Sequence, residues 1–150
     1  MASTSTAPAV IDAVLAAVNT DLPGTVQAFE SWPGPDAAPE MVVFGEIAWE
    51  AYDVASIKSG RQHRQETFTI GFEVFVFGTA GTTPAVTKPV RDRAFVLATS
   101  LEDVLAEDPD LGTGPGGWVE TRLTGAGPRV FEKGWAYRCA GNIHVNARLT

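Results

Sequence analysis

The chain is poor in the residues that most often carry chemistry. Among 150 residues there is a single cysteine, Cys139, and there are two histidines, His63 and His144. One cysteine forms no intrachain disulfide, which excludes a disulfide-stapled secreted scaffold. No apolar run approaches the roughly 18 residues that a membrane-spanning helix requires, so no such helix is expected. Met1–Pro8 has neither a basic n-region nor an apolar h-region and reads as a flexible tail rather than a signal peptide. Basic residues are absent from the whole first third. Met1 to Ile57 holds eight acids (Asp12, Asp21, Glu30, Asp36, Glu40, Glu46, Glu50, Asp53) and no Lys or Arg. The remainder carries all 11 basic residues, so the net charge of −7 comes almost entirely from the first third. A pI near 4.7 argues against a module that grips phosphates.

What is present is an ordinary globular composition, 45% hydrophobic and 19% charged, sufficient for one core. The length fits a single domain, expected over residues 9–150, and no internal repeat or long linker divides it. Val10, Ile11, Val14, Leu15 and Val18 form the stripe of a short amphipathic helix over Ala9–Asn19. Thr25–Trp32 reads as a short strand, closed by Trp32-Pro33-Gly34-Pro35. Met41–Ile57 reads as a long strand, with Val43, Ile47, Trp49 and Ala51 on one parity and Glu46 and Glu50 on the other. After the turn-like Lys58-Ser59-Gly60-Arg61, Arg64–Phe77 alternates cleanly: Phe68, Ile70, Phe72, Val74 and Val76 oppose Thr67, Thr69, Gly71 and Glu73. These strands form a long β-hairpin expected to extend beyond the sheet at its 58–64 end.

From Thr83 or Thr87 to Glu107, apolar residues step by three and four through Val90, Ala94, Leu97, Leu101, Val104 and Leu105, which predicts one long helix packed on the sheet. Its last turn holds Glu102, Asp103, Glu107 and Asp108, at the end of the helix dipole that disfavours acids. Trp118–Thr124 and Val130–Leu149 read as closing strands separated by Gly125-Ala126-Gly127-Pro128. In the last, Trp135, Tyr137, Cys139, Ile143, Val145 and Leu149 share the apolar parity, and Arg138, Asn142, His144, Asn146 and Arg148 the polar one. The fold class is α+β, a mainly antiparallel sheet with one short N-terminal helix and one long helix.

The residues do not assemble a recognisable catalytic motif. His63 and His144 are distant from each other and from Cys139, without zinc-ligand spacing. Cys139 falls on the apolar parity of its strand, as a buried structural cysteine does. Gly112-Thr113-Gly114-Pro115-Gly116-Gly117 matches G-x-G-x-x-G as text, but it follows a helix and precedes a strand, so no helix N-terminus is there to receive a pyrophosphate. Lys58, Arg61, His63 and Arg64 form a small basic cluster at the hairpin tip, suited to a contact arm on an acidic neighbour.

The strand Arg64–Phe77, the helix Val90–Leu105, the exit Asp108-Pro109-Asp110-Leu111-Gly112 and the alternating strand through Arg148 occur in an order that resembles the tail terminator proteins of long-tailed bacteriophages. The resemblance covers roughly residues 9–149 as a pattern of elements, with no invariant motif. It implies a structural virion protein, not an enzyme, with no cofactor and no catalytic or metal-binding residue. It implies a ring, hexameric in that family, that caps the head-proximal end of the tail tube, assembled in the host cytoplasm. Its partners would be its own copies, the tail tube protein and the head–tail connector proteins, with no membrane. DNA would pass through the lumen without specific binding, and six copies would carry a charge of about −42. Glu46, Glu50, Asp53, Glu102, Asp103, Glu107 and Asp108 are the candidates for an acidic lumen or interface. A head–tail connector (stopper) or tail-tube subunit is the alternative within the same machine. A small enzyme or ligand-binding domain would need a pocket converging on His144, Arg138 or Glu46.

Overall fold

A computed structural model describes residues 5–22, 26–33, 39–58, 61–78, 87–107, 117–131 and 134–149, with backbone alone at 51–58, 61–64, 87, 131, 134, 148 and 149. The order of elements is α1 (Ala7–Asp21), β1 (Val26–Phe29), β2 (Glu40–Lys58), β3 (Arg61–Phe77), α2 (Thr87–Glu107), β4 (Trp118–Phe131) and β5 (Gly134–Leu149). The five strands form one sheet in the order β1-β2-β3-β5-β4. Only β1 is parallel to its neighbour, pairing with the first residues of β2; the β2–β3, β3–β5 and β4–β5 pairs are antiparallel. The α+β class, the long hairpin and the two helices are as the sequence predicts.

Strand β3 lies at the centre and sorts the sheet into two faces. Phe68, Ile70, Phe72, Val74 and Val76 are buried in the main core with Val10, Val14 and Val18 of α1 and Ala94, Leu97, Leu101 and Leu105 of α2. Cys139, Ile143 and Val145 of β5 complete it. Burial of large apolar side chains contributes about 2 kcal/mol apiece, so this helix-covered face carries most of the stability. The other face has no helix over it among the described residues. It carries a small second cluster of Met41, Phe75 and Ala136 at one end, with Trp32 edge-on to Phe75 at a centroid distance of 5.3 Å.

Three expectations are corrected. The parity assigned to β2 fails because its register against β3 shifts between Phe44 and Ile47, between Trp49 and Ala51, and between Val54 and Ser56. A one-residue insertion moves every later side chain to the opposite face. Val42 and Phe44 therefore face the core before the first shift and Ile47 after it, while Val43 packs with the second cluster on the open face. Gly125–Pro128 does not separate two strands: it lies inside β4, beside a register shift between Leu123 and Gly125, and the turn falls after Phe131. An edge strand tolerates a missing N–H and a bulge, and β4 is an edge. Nearby, Gly141 is required by close approach, since a Cβ there would meet the Arg122 carbonyl and stand 2.6 Å from Phe72 Cζ.

Helix α1 starts at Ala7 rather than Ala9, and the part of the expected tail at Ser5 and Thr6 is anchored. Glu66, fully buried, continues the core-facing parity of β3 beyond Phe68. Its carboxylate accepts hydrogen bonds from the Thr6 backbone N–H at 2.6 Å and from the Thr6 hydroxyl at 2.5 Å. It also accepts from the Ser5 hydroxyl at 3.0 Å and the Trp49 indole N–H at 3.1 Å. A carboxylate at a helix N-terminus complements the exposed N–H groups and the dipole there. Glu66 thus joins the helix start to both strands of the hairpin. Replacing Glu66 with Ala leaves partly buried donors without this acceptor and is expected to lower stability by about 1–3 kcal/mol, with Glu66→Gln losing less. Urea unfolding of the two variants measures it, and an unchanged midpoint for Glu66→Ala would remove the anchoring role.

Candidate functional site

The basic residues of the hairpin tip come together by register. Lys58 stands opposite Arg61, Ser56 opposite His63 and Val54 opposite Arg64. The adjacent strand β5 reaches Leu149, opposite Arg64, so the last β2–β3 pairs stand beyond the described β5 residues. Strand β4 begins lower still, with Trp118 opposite Asn146. The hairpin end therefore projects past the β4 edge, as expected. The side chains of Lys58, Arg61, His63 and Arg64 lie outside the described residues.

The candidate acids divide into two groups that the fold keeps apart. Glu46 and Glu50 are exposed on β2, and Asp53 is on the same strand with its side chain outside the described residues. Glu102 and Asp103 belong to α2 and line a cleft of about 310 Å³ with Val119, Glu120 and Thr121 of β4. Glu107 is exposed at the end of the same helix, and Asp108 lies outside the described residues. Strands β2 and β4 lie toward opposite margins of the sheet, so the two acidic groups do not form one patch.

On the open face, Gly45 and Gly71 leave a shallow groove of about 260 Å³, walled by Glu46, Glu73, Arg138 and Asn142. Within it the Arg138 Nε–H donates to Glu73 at 2.6 Å, and Arg129 lies 3.7 Å from the same carboxylate oxygen. Two guanidinium groups thus hold one carboxylate. Of the trio a catalytic pocket would need, Arg138 and Glu46 line this groove and His144 does not. His144 instead sits on β5 between Thr69 of β3 and Glu120 of β4. Further along the open face, the Gln65 amide donates to Asn146 at 2.7 Å, and the Asn146 amide donates to Thr67 at 3.3 Å. The alternating polar residues of β3 and β5 foreshadow this ladder. Among the described residues no group of three His, Cys, Asp or Glu could hold a metal ion, and no helix is long and apolar enough to cross a membrane.

Helix α2 is charged with opposite sign at its two ends. Lys88, Arg91 and Arg93 occupy its first turns, where Lys88 and Arg91 bond Asp92 at 2.8 and 3.1 Å. Hydrogen bonds from Lys88 and then Arg91 hold the Asp92 carboxyl below the usual range. Arg93 reaches back to Glu40 of β2 at 3.0 Å. The helix therefore crosses the sheet diagonally, from the beginning of β2 to the beginning of β4. That path leaves the far half of β4 without a helix above it, and Leu123 is 40% and Val130 84% exposed. Phe95, 39% exposed, borders this apolar margin with its ring 5.9 Å from that of Tyr137. Neither the exposed apolar margin nor the Glu66 anchor was among the sequence candidates.

No protein-family model matches the chain, and no curated protein matches it. Among solved structures, the chain is similar to one described as "Virion of native gene transfer agent (GTA) particle", with 16% identity over 98% of each chain and a TM-score of 0.45.

Cys139 is fully buried between Val74 of β3 and Ala126 of β4, and burial raises its thiol pKa above the ordinary value. The thiolate, the reactive form, is correspondingly scarce at neutral pH. A maleimide reagent at pH 7 is expected to label the native protein at least about tenfold more slowly than the urea-unfolded chain. Equal rates in the two states would contradict the structural role.

Proposed function

We propose that the protein is a structural component of a phage-type virion, a ring-forming tail terminator that caps the head-proximal end of the tail tube. The observation that carries this reading is the order and placement of the elements: α1, a hairpin projecting past the β4 edge, a long α2 laid across the sheet, and closing strands. This is the arrangement that the resemblance of Arg64–Phe77, Val90–Leu105 and the C-terminal strand implies. Physically, a polymerising tube stops when its growing end is covered by a ring that matches the tube below and offers a different surface above. The covering ring then serves as the interface for head–tail joining. A projecting basic hairpin supplies a contact to a neighbouring subunit or tube ring. Excess negative charge suits a lumen through which DNA slides.

Negative-stain microscopy with native mass measurement is expected to show rings of six subunits, free or on the ends of purified tubes. A chain that stays monomeric in the presence of tubes would overturn the proposal, and growth into long tubes would identify a tube subunit instead. Reversing Lys58, Arg61 and Arg64 to Glu is expected to weaken ring or tube attachment while the circular dichroism spectrum stays unchanged. Undiminished assembly of that triple variant would retire the contact arm.

A further inference from the structure

Among the described residues, both margins of the sheet are open. Strand β1 covers β2 only from Glu40 to Val43. Beyond that point, β2 has β3 as its sole strand partner among the described residues. Strand β4 pairs with β5 alone among the described residues. Each margin carries exposed apolar side chains: Trp49, 44% exposed, on β2, and Trp118, Leu123 and Val130 on β4. Two different open edges on one chain are the requirement for a head-to-tail contact, in which one surface of each copy meets another surface of the next.

One pair of opposite charges lies at the same level on the two margins, and its arginine, Arg122, also bonds Glu120 of its own strand at 3.1 Å. Ile47 pairs with Ile70, Ile70 with Ile143, and Ile143 with Thr121, which places these four residues on one line across the sheet. One step along, Gly71 pairs with Asn142 and Asn142 with Arg122. Glu46, within the irregular step between Phe44 and Ile47, is therefore level with Arg122. At the end of the sheet, the basic hairpin tip rises past Trp118. Strand direction fits too. Successive antiparallel pairings from β2 through β3 and β5 leave β4 antiparallel to β2. Copies set side by side in the same orientation thus present antiparallel edges to each other.

We propose that copies of this chain pack side by side, head to tail, with the β2 margin of one against the β4 margin of the next. Glu46 of one copy then stands level with Arg122 of the next, and the hairpin end projects past the neighbour's β4 edge. The inference rests on the ring reading above and names the surfaces that would close the ring. The register shifts in both strands keep either edge from regular ladder pairing. The contact is therefore made by side chains, apolar as well as charged, and its charged part weakens with salt.

The test uses two exposed-surface variants of the full chain, Glu46→Arg/Glu50→Arg on one margin and Arg122→Glu/Leu123→Glu on the other. Native mass and sedimentation are expected to show each variant folded but with self-association weakened by at least about tenfold. Mixed in equal amounts, the two variants meet through the original pair of margins at one contact and through the charge-swapped pair at the other, and are expected to form rings again. A single chain carrying Glu46→Arg with Arg122→Glu is expected to regain rings. If both margin variants form rings like the unaltered chain, the contact lies elsewhere; the side-by-side arrangement is overturned and the ring reading stands. If the unaltered chain fails to associate with itself even at tube ends, the ring reading falls and takes this inference with it. Two variants that stay apart on mixing also overturn it, because each supplies the margin that the other has lost.

Discussion

The structure depends on β3 being a central strand with strictly alternating faces. Every other element answers to it. Strands β2 and β5 pair along its two sides, and both helices bury their apolar stripes in the core to which its Phe68–Val76 face belongs. Its opposite face, with Thr67, Thr69, Gly71 and Glu73, supplies the polar ladder and the floor of the open-face groove. Because the side-chain period is two, a slip of one residue would expose the aromatic face and bury Glu73. The register is thus strongly specified. At the far end Glu66 sits on the buried parity, where a charge is costly unless its lone pairs are satisfied. Two hydroxyls, a helix N-terminal N–H and an indole N–H satisfy them, and this fixes where α1 begins.

Much of this was legible where the pattern was local and unbroken. The alternation of β3 and β5 and the three–four spacing of α2 placed those elements and their buried faces, because each signal repeats several times within one segment. It failed where one residue breaks the period. The bulge at Gly45-Glu46 put Val43 and Ile47 on opposite faces, although their spacing in sequence suggests a shared one. The run Gly125–Pro128 has the composition of a turn, and only its position at a sheet edge lets it remain in a strand. The role of Glu66 could not be seen locally, since its partners Ser5 and Thr6 lie some 60 residues away. A single charged residue on an otherwise apolar parity was the one available sign.

The candidate surfaces show the same division. The basic tip was readable because hairpin closure brings Lys58 and Arg61 opposite each other whatever the rest of the fold does. The acids could be counted but not grouped, because grouping requires the strand order. Once β1 and β2 occupy one margin and β4 the other, Glu46 and Glu50 separate from Glu102 and Asp103. The exposed apolar margin of β4 was also hidden, since Leu123 and Val130 read as ordinary strand residues. It becomes visible only through the diagonal course of α2, which the Arg93–Glu40 pair holds at one end.

Topology converts a sequence asymmetry into a spatial one. The first third of the chain, which has acids and no bases before Lys58, builds α1 and the β1–β2 margin. The later two-thirds build the sheet interior and the β4 margin, with Arg122 and Arg129 along it. The β2 margin thus carries acids alone before Lys58, while the β4 margin mixes both signs, with Glu120 bonded to Arg122 at 3.1 Å. Glu46 and Glu50, exposed on the β2 margin, repel each other at a small cost. The acids at the end of α2 add to the puzzle, since they face the unfavourable end of its dipole and no basic residue occupies its last turn to offset them. Both costs are small, and an opposite charge from outside the chain would relieve both. The helix thus carries its charges against its own dipole, beside a strand edge that no further strand covers among the described residues.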